Sequence, residues 1–166
     1  MSKSASKSPA ASAVVQDFLG ETYLEAHETG RVSLRALADR LEVTPPAISR
    51  MAQRLVRQGL MRREGACGLL LSESGELVAL KSIRKRRIFE AFLVAKMGYT
   101  WDQVYPIAVK TSNHLDDELV ERMYEQAGNP HSCPHGDPIP THDGHIRTVN
   151  ETKLNELDEG HKALIS

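Results

Sequence analysis

The segment from Ser33 to Gly75 restricts the folds open to this chain more than any other. Ser33 suits the N-cap of a helix, and apolar residues follow it at helical spacing, at Leu34, Leu37, Ala38 and Leu41. Thr44 suits the N-cap of a second helix, because Pro45 and Pro46 then fall where a missing N–H costs little. Two short amphipathic helices joined by so tight a turn predict a helix-turn-helix.

The second helix is predicted to have one buried and one exposed face. Its buried stripe consists of Ile48, Ala52 and Leu55. Its opposite face carries polar and basic residues, namely Ser49, Arg50, Gln53, Arg54 and Arg57. Gly59 suits the end of the helix, and two short strands joined through glycines follow at residues 60–63 and 69–72. The whole pattern predicts a winged helix-turn-helix, with Arg62 and Arg63 on the wing.

Charge is distributed unevenly along the chain. Residues 31–90 contain 13 Lys and Arg against 6 Asp and Glu, whereas residues 91–166 contain 6 against 12. The net charge of −1 therefore conceals a strongly basic half. A basic block around a helix-turn-helix is typical of proteins that bind double-stranded DNA, because the phosphates attract it.

The predicted DNA-binding residues lie on the second helix and the wing. The exposed start of the helix is expected to contact base edges, and Arg50 could bind guanine through two hydrogen bonds. The basic run Arg84–Arg87 lies beyond the wing and is open to two interpretations, a further DNA contact or a solvated helix face. The candidate residues for DNA are Thr44, Pro46, Ser49, Arg50, Gln53, Arg54, Arg62 and Arg63.

A helical second half is predicted after the wing. One long helix runs from Ser74 to about Met97, a second from Thr100 to about Val109, and a third from Asn113 or Leu115 to Gln126. Helices this apolar on more than one face predict a partner subunit, and helix-turn-helix proteins usually act as symmetric dimers. The predicted fold is mainly α: a disordered tail (1–12), a winged helix-turn-helix (13–74), a helical dimerisation domain (75–140) and a linker (141–166).

Composition excludes several classes of protein. The chain has no apolar run as long as a membrane span and no secretory signal, so we expect a cytoplasmic protein. Cys67 and Cys133 are expected to stay reduced and unpaired. The sequence contains no nucleophile–base arrangement, no glycine-rich phosphate loop and no HExxH motif, which argues against an enzyme.

Histidines are concentrated in the second half, where six of the seven lie between residues 114 and 166. Three potential ligands, His131, Cys133 and His135, fall in the Pro- and Gly-rich stretch GNPHSCPHGDPIP at residues 128–140. Such a set of imidazole and thiol groups could bind a transition metal, with His114 as a further candidate. The spacing is also open to another interpretation, an exposed linker with incidental histidines.

Several motifs together resemble the DtxR/MntR family of metal-dependent repressors. They are the helix-turn-helix ALADRLEVTPPAISRMAQRLVRQGL, the wing, the SxxG entry into a long helix, and GNPHSCPHGDPIP. The resemblance spans about Val14 to Pro140. It implies a cytoplasmic homodimer in which manganese or ferrous iron orders the first helix and the dimer represses metal-uptake genes. Many members add a small C-terminal β-barrel, and the residues from Lys153 resemble its start.

The resemblance also implies where metal ligands would lie. On the first helix Asp17 matches a family ligand, and Glu21 lies beside a second acidic position that falls on Gly20. On the long helix Arg86 replaces the usual histidine, and Glu90 follows four residues later. In the next segment the family ligands fall on Tyr105, Val109, Ser112 and Asn113, or include His114 if the alignment shifts by one residue. The metal-ligand candidates are Asp17, Glu21, Glu90, His114, His131, Cys133 and His135.

Two mechanisms of control follow from these replacements. In the first, a metal binds elsewhere, at His114 or at the histidine-rich loop with a neighbouring acid. In the second, the usual site is lost and Arg86, paired with Glu90 one turn away, holds the protein in one state. The leading function is a metal-responsive regulator that binds manganese, iron or zinc, with manganese preferred. The alternatives are a metal-independent winged-helix regulator, a metal-storage or metal-chaperone protein, and a protein–protein module.

Overall fold

The computed structural model describes residues 11–64 and 68–146 and is mainly helical. A winged helix-turn-helix is followed by a helical domain, so the predicted fold class is confirmed. A 3-10 turn, Ser112–His114, precedes the last helix. The elements in chain order are α1 (Ala13–Thr29), α2 (Leu34–Arg40), α3 (Pro45–Arg57), β1 (Met61–Glu64), β2 (Gly68–Leu71), α4 (Glu73–Met97), α5 (Trp101–Thr111) and α6 (Asp117–Gln126).

The helix-turn-helix forms where the sequence predicts it. The Ser33 hydroxyl accepts a hydrogen bond from the Ala36 backbone N–H at 3.3 Å and so caps α2. Thr44 stands at the N-cap of α3, but its side chain makes no capping hydrogen bond. The prolines fill the first two helical positions, as expected. The predicted stripe of α3 is buried, namely Ile48, Ala52 and Leu55.

Helix α1 belongs to the same hydrophobic core as the helix-turn-helix. Its residues Val15, Phe18 and Leu19 pack with Leu37 of α2 and with the buried stripe of α3. Ala79, in the second turn of α4, joins this core as well. The first helix and the start of the long helix are therefore part of the support of the DNA-reading motif.

The wing is a short antiparallel hairpin. Met61 pairs with Leu71 and Glu64 with Gly68, so both strands are offset by one residue from their predicted positions. Of the two glycines predicted to join the strands, Gly68 is the first residue of β2, whereas Gly65 lies outside the described residues, as does Cys67.

Helix α4 begins directly against the base of the wing. The Ser72 hydroxyl accepts a hydrogen bond from the Gly75 N–H at 3.1 Å and donates one to the Gly59 carbonyl at 2.6 Å. A Cβ atom at Gly75 would overlap the Leu60 carbonyl oxygen, so only glycine allows this approach.

Helix α4 is the central element, and its other residues enter two further apolar clusters. Phe89 and Leu93 pack with α5, whereas Ile88 packs with Val120 of α6 and with Ile139. Helix α6 begins at Asp117, later than predicted, because the chain first makes the 3-10 turn and Asp116 then caps the helix. In the described part of the chain, no helix has the length and apolarity needed to cross a membrane.

The structure contradicts both interpretations of the basic run Arg84–Arg87 on α4. Arg84, whose side chain is 8% exposed, binds the Glu121 carboxylate and the Pro140 carbonyl. Arg87 donates to the Pro138 carbonyl at 2.6 Å. These side chains neither face DNA nor lie in solvent, since they hold residues 128–140 against α4. Charge alone could not distinguish an exposed arginine from a buried one with an acceptor.

Most of the predicted tail and of the C-terminal segment lies outside the residues that the structure describes. Residues 1–10 and 147–166 are not described, and the segment from Lys153 lies among them. Ser12, placed in the predicted tail, is the N-cap of α1.

Gly75→Ala is expected to destabilise the protein by about 2 kcal/mol or more, because a methyl group would be forced into backbone. Urea unfolding followed by circular dichroism measures this loss. The matched control is Gly20→Ala within α1, where the nearest atom to the new Cβ would be a serine hydroxyl oxygen at 3.2 Å. An equal effect of the two substitutions would contradict the backbone contact at Gly75.

Candidate functional site

Three potential metal ligands from distant parts of the sequence meet beside α4. Glu90, Cys133 and His135 place their ligand atoms within 4.8 Å of one another. The His135 Nδ1 lies 3.5 Å from the Glu90 carboxylate and 3.9 Å from the Cys133 sulfur. Glu90 is 2% exposed and Cys133 5%, while His135 closes the outer side. We refer to these three residues as the Glu–Cys–His cluster.

The loop that carries Cys133 and His135 is folded by its own backbone. The Cys133 N–H donates to the Asp137 carbonyl at 2.9 Å, and the Gly136 N–H donates to the Cys133 carbonyl at 2.9 Å. The Ile139 N–H donates to the His131 carbonyl at 2.8 Å. Together with the two arginines of α4, these bonds fix the thiol and imidazole opposite Glu90. The loop is thus an ordered element rather than a linker.

Burial dominates the electrostatics of the cluster. It raises the pKa of Glu90, and the nearby charges of Arg86 and His135 offset this only in part. Burial also raises the pKa of the Cys133 thiol. A bound cation would favour the charged forms of both groups, because it supplies the counter-charge that the site needs.

The donor set fits one transition-metal ion. Carboxylate oxygen, thiolate sulfur and imidazole nitrogen bind such an ion at about 2.0–2.3 Å, which places ligand atoms about 3–4 Å apart. The two measured separations, 3.5 and 3.9 Å, lie in that range. Glu90, Cys133 and His135 could therefore hold a divalent metal ion.

A cavity of about 560 Å³ lies between α1, α4 and α5. It is lined by Asp17 and Glu21, the first-helix candidates, but not by residues of the Glu–Cys–His cluster. The Asn113 side-chain amide donates to Asp17 at 2.6 Å and to the Ser82 hydroxyl at 2.8 Å. Burial raises the pKa of Asp17, and the bond from Asn113 lowers it less strongly.

Arg86 fills the inner side of this cavity. Its guanidinium donates to Glu21 at 2.7 Å, and the two side chains are only 12% and 9% exposed. Burial opposes the charge of Arg86, but its pKa is still raised, mainly through Glu21. The pairing of Arg86 with Glu90 that the sequence offered is wrong, because the guanidinium reaches across to α1 instead. A cation of the protein itself thus occupies the neighbourhood of the first-helix acids.

The remaining metal candidates lie outside the Glu–Cys–His cluster, although His114 is near enough to Asp17 to lower the pKa of that carboxyl. His114 is exposed in the 3-10 turn, and Asn113 rather than His114 contacts Asp17. His131 is exposed and is not one of the residues of the Glu–Cys–His cluster. The structure therefore brings together three of the seven candidates, Glu90, Cys133 and His135, and pairs Glu21 with an arginine.

Two aromatic residues lie beside the cluster; sequence reasoning missed Trp101 and named Tyr105 only as a position that aligns with a family ligand. The Trp101 ring lies edge-on to His135 with ring centroids 6.0 Å apart, and Tyr105 lies edge-on at 6.3 Å. The signal was their spacing of four residues on one helix, which places both rings on the same face. Trp101 is the one tryptophan of the sequence, and it is 64% exposed.

The predicted DNA-contacting residues of α3 lie at the surface. Ser49 is half-buried, and the other predicted residues are exposed, namely Thr44, Pro46, Arg50, Gln53, Arg54, Arg62 and Arg63. Arg62 and Arg63 are neighbours in β1, so their side chains point to opposite faces of the hairpin. Arg62 also lies 3.3 Å from Glu64. Arg62 and Arg63 would therefore reach a DNA duplex beside the wing from opposite faces of the hairpin.

Family models match both halves of the chain. Residues 72–141 match the iron dependent repressor, metal binding and dimerisation domain. Residues 24–65 match the MarR family.

Individual proteins give the same result. The iron-dependent repressor IdeR of Mycobacterium tuberculosis is 33% identical over 120 residues, which are 72% of this chain and 52% of that protein. A helix-turn-helix transcriptional regulator of Methanocaldococcus jannaschii is 32% identical over 110 residues, covering 66% of this chain and 88% of that protein.

A solved structure of a manganese-dependent transcriptional repressor in complex with manganese superposes with a TM-score of 0.75 and 35% identity. The match covers 82% of this chain and 63% of that one. This chain spans about half the length of the mycobacterial relative. The family models, the relatives and the superposed structure agree with one another, and the chain belongs to the DtxR/MntR family of metal-dependent transcriptional repressors.

Proposed function

We propose that this chain is a transcriptional regulator that binds operator DNA as a homodimer when a divalent transition metal occupies the Glu–Cys–His cluster. The observation that carries the proposal is the cluster itself, three preformed ligands in a chain that also presents an exposed basic helix. Repression of genes for metal uptake is the role that suits such a sensor, because it lowers uptake when the metal is plentiful.

The names of the relatives support metal control. IdeR is an iron-dependent repressor, and the superposed structure is a manganese-dependent repressor with manganese bound. We propose Mn²⁺ or Fe²⁺ as the physiological effector. The thiolate and imidazole in the cluster bind softer ions more tightly, so affinity in vitro is expected to follow Zn²⁺ > Fe²⁺ > Mn²⁺. Selection of the effector would then depend on which metal the cell makes available.

One observation favours a second candidate, a regulator that needs no metal. The Arg86–Glu21 pair already supplies a positive charge between α1 and α4. In that case α1 would be held without an added ion, and DNA affinity would not change after chelation. The two candidates differ in one measurable quantity, the ratio of DNA affinities with and without metal.

Metal binding at the cluster is expected to change the fluorescence of Trp101, because its ring lies against His135. Titration with Zn²⁺, Fe²⁺ and Mn²⁺ gives the affinities directly. Cys133→Ser should weaken Zn²⁺ binding by at least about tenfold, because it removes one ligand. His142→Gln is the matched control, an exposed histidine after the same loop that should leave affinity unchanged. Equal affinities of the two variants would exclude the cluster as the metal site.

The affinity for Zn²⁺ is expected to rise with pH. Burial raises the pKa of the Cys133 thiol, so the thiol holds a proton near neutrality and must release it to bind metal. One released proton corresponds to about a tenfold gain in affinity per pH unit between about pH 6 and pH 8. Competition with a chelator at several pH values measures the slope, and Cys133→Ser should flatten it. A slope of zero in the unaltered protein would show that the thiol is not a ligand.

Arg50→Ala is expected to relax sequence preference in DNA binding by about 1–3 kcal/mol, if Arg50 reads a guanine. The measurement compares a duplex selected by this protein from a random pool with scrambled duplexes, using fluorescence anisotropy at fixed salt. Arg122→Ala on α6 is the control, since that side chain is 71% exposed and far along the chain from α3. A uniform loss of affinity for all duplexes would instead identify Arg50 as a phosphate contact.

A further inference from the structure

Glu21 connects three helices of the protein. Its carboxylate accepts the hydrogen bond from Arg86 of α4 and lies 3.6 Å from the Arg40 guanidinium of α2. Arg40 also lies 3.4 Å from Glu25, one turn further along α1. Arg40 forms its hydrogen bond with Glu28 of α1. The Glu21 carboxylate on α1 thus lies between the basic side chains of α2 and α4.

The other side of the Arg86 side chain faces an aromatic ring. Its guanidinium carbon lies 5.5 Å from the centroid of Tyr105, within the range of a cation–π interaction. The same ring lies edge-on to His135, at 6.3 Å and an interplanar angle of 88°. Contacts therefore run without a gap from His135 through Tyr105 and Arg86 to Glu21.

Arg86 also interacts with Glu90, one turn along α4, through its charge. Arg86 lowers the pKa of Glu90 against the larger effect of burial. The guanidinium is thus attracted by two carboxylates but forms its hydrogen bond with Glu21. A cation bound to Glu90 would cancel one attraction and add a repulsion, and both changes favour a closer pairing of Arg86 with Glu21.

We propose that Arg86 and Tyr105 are positioning residues that couple metal binding at the Glu–Cys–His cluster to the hold on helices α1 and α2. When a divalent cation occupies the cluster, the Arg86 guanidinium is directed to Glu21, and its cation–π contact with Tyr105 holds it in that position. The proposal rests on the proposed function, since it requires that the cluster binds metal. It adds a route by which metal binding at the cluster affects helices α1 and α2, although α1 supplies no metal ligand.

The direction of the effect follows from the same charges. Metal binding stabilises the contact between α1 and α4 and so reduces local opening of α1. Coupling between two sites is typically 1–3 kcal/mol, so exchange of the α1 amides is expected to slow by roughly fivefold or more. Helix α2 should follow α1, because Arg40 shares Glu21.

The test is hydrogen–deuterium exchange of the full chain with and without saturating Zn²⁺, read on peptides covering α1 and α2. Binding of Zn²⁺ is measured in parallel by calorimetry. In Arg86→Gln and Tyr105→Leu, Zn²⁺ should still bind, but the slowing of exchange in α1 should fall below about twofold. Arg86→Lys keeps the positive charge, so Zn²⁺ should slow the exchange of the α1 amides in this variant almost as much as in the unaltered protein. Tyr99→Leu is the matched control, a tyrosine just before α5 that should leave the slowing intact.

The outcomes separate this proposal from the one on which it rests. If Zn²⁺ does not bind the unaltered protein, the proposed metal control and the coupling both fail. If Zn²⁺ binds and α1 slows equally in every variant, the coupling route is wrong while the metal site stands. Tyr105 is 47% exposed, so Tyr105→Leu should fold even if Arg86→Gln does not. The exchange of α1 in Tyr105→Leu, measured with and without Zn²⁺, therefore tests the coupling route even if Arg86→Gln does not fold.

Discussion

The burial of the middle of α4, residues 82–93, is the constraint on which the rest of the structure depends. One end of this helix enters the core of the helix-turn-helix through Ala79, and later residues pack against α5 and α6. Its 25 residues form a rod about 37 Å long. Both the DNA-reading half and the Glu–Cys–His cluster are built on this one rigid element, so their separation is set by its length.

A helix buried in this way must find partners for its charged residues, and the basic run at residues 84–87 shows how. Successive helical residues point about 100° apart, so four adjacent side chains leave the helix in four directions. Arg84 binds Glu121 and the Pro140 carbonyl, Lys85 binds the Leu115 carbonyl, Arg86 binds Glu21, and Arg87 binds the Pro138 carbonyl. One stretch of sequence thereby fixes α6, the segment before it, α1 and the metal-ligand loop. The Arg86–Glu21 pair has both side chains largely buried, so loss of one partner there leaves an uncompensated buried charge.

The parts of this protein that depend on local pattern could be predicted, and the parts that depend on distant pairs could not. Capping residues, prolines and apolar spacing located α2, α3 and the buried stripe of α3 because these signals act within a few residues. The meeting of Glu90 with Cys133 joins positions far apart in sequence. The concentration of His and Cys pointed to the loop, but nothing local to it identified Glu90 as the acid that it faces. The burial of Arg86 was equally hidden, since nothing local to α4 shows that Glu21 on α1 faces it. Trp101 went unnoticed because its role comes from the neighbouring imidazole.

The junction at Gly75 has a consequence for how any signal could reach DNA. There the end of α3, the base of the wing and the start of α4 are joined by Ser72, whose hydroxyl binds Gly59, and by the close approach to Leu60. Helices α3 and α4 therefore cannot change their angle independently, and the reading helix moves only as a rigid body with the long helix. In a dimer, such a body can alter the distance and tilt between two recognition helices but not the surface that either presents. Regulation in this architecture would be a matter of spacing, with the chemistry of base recognition left constant.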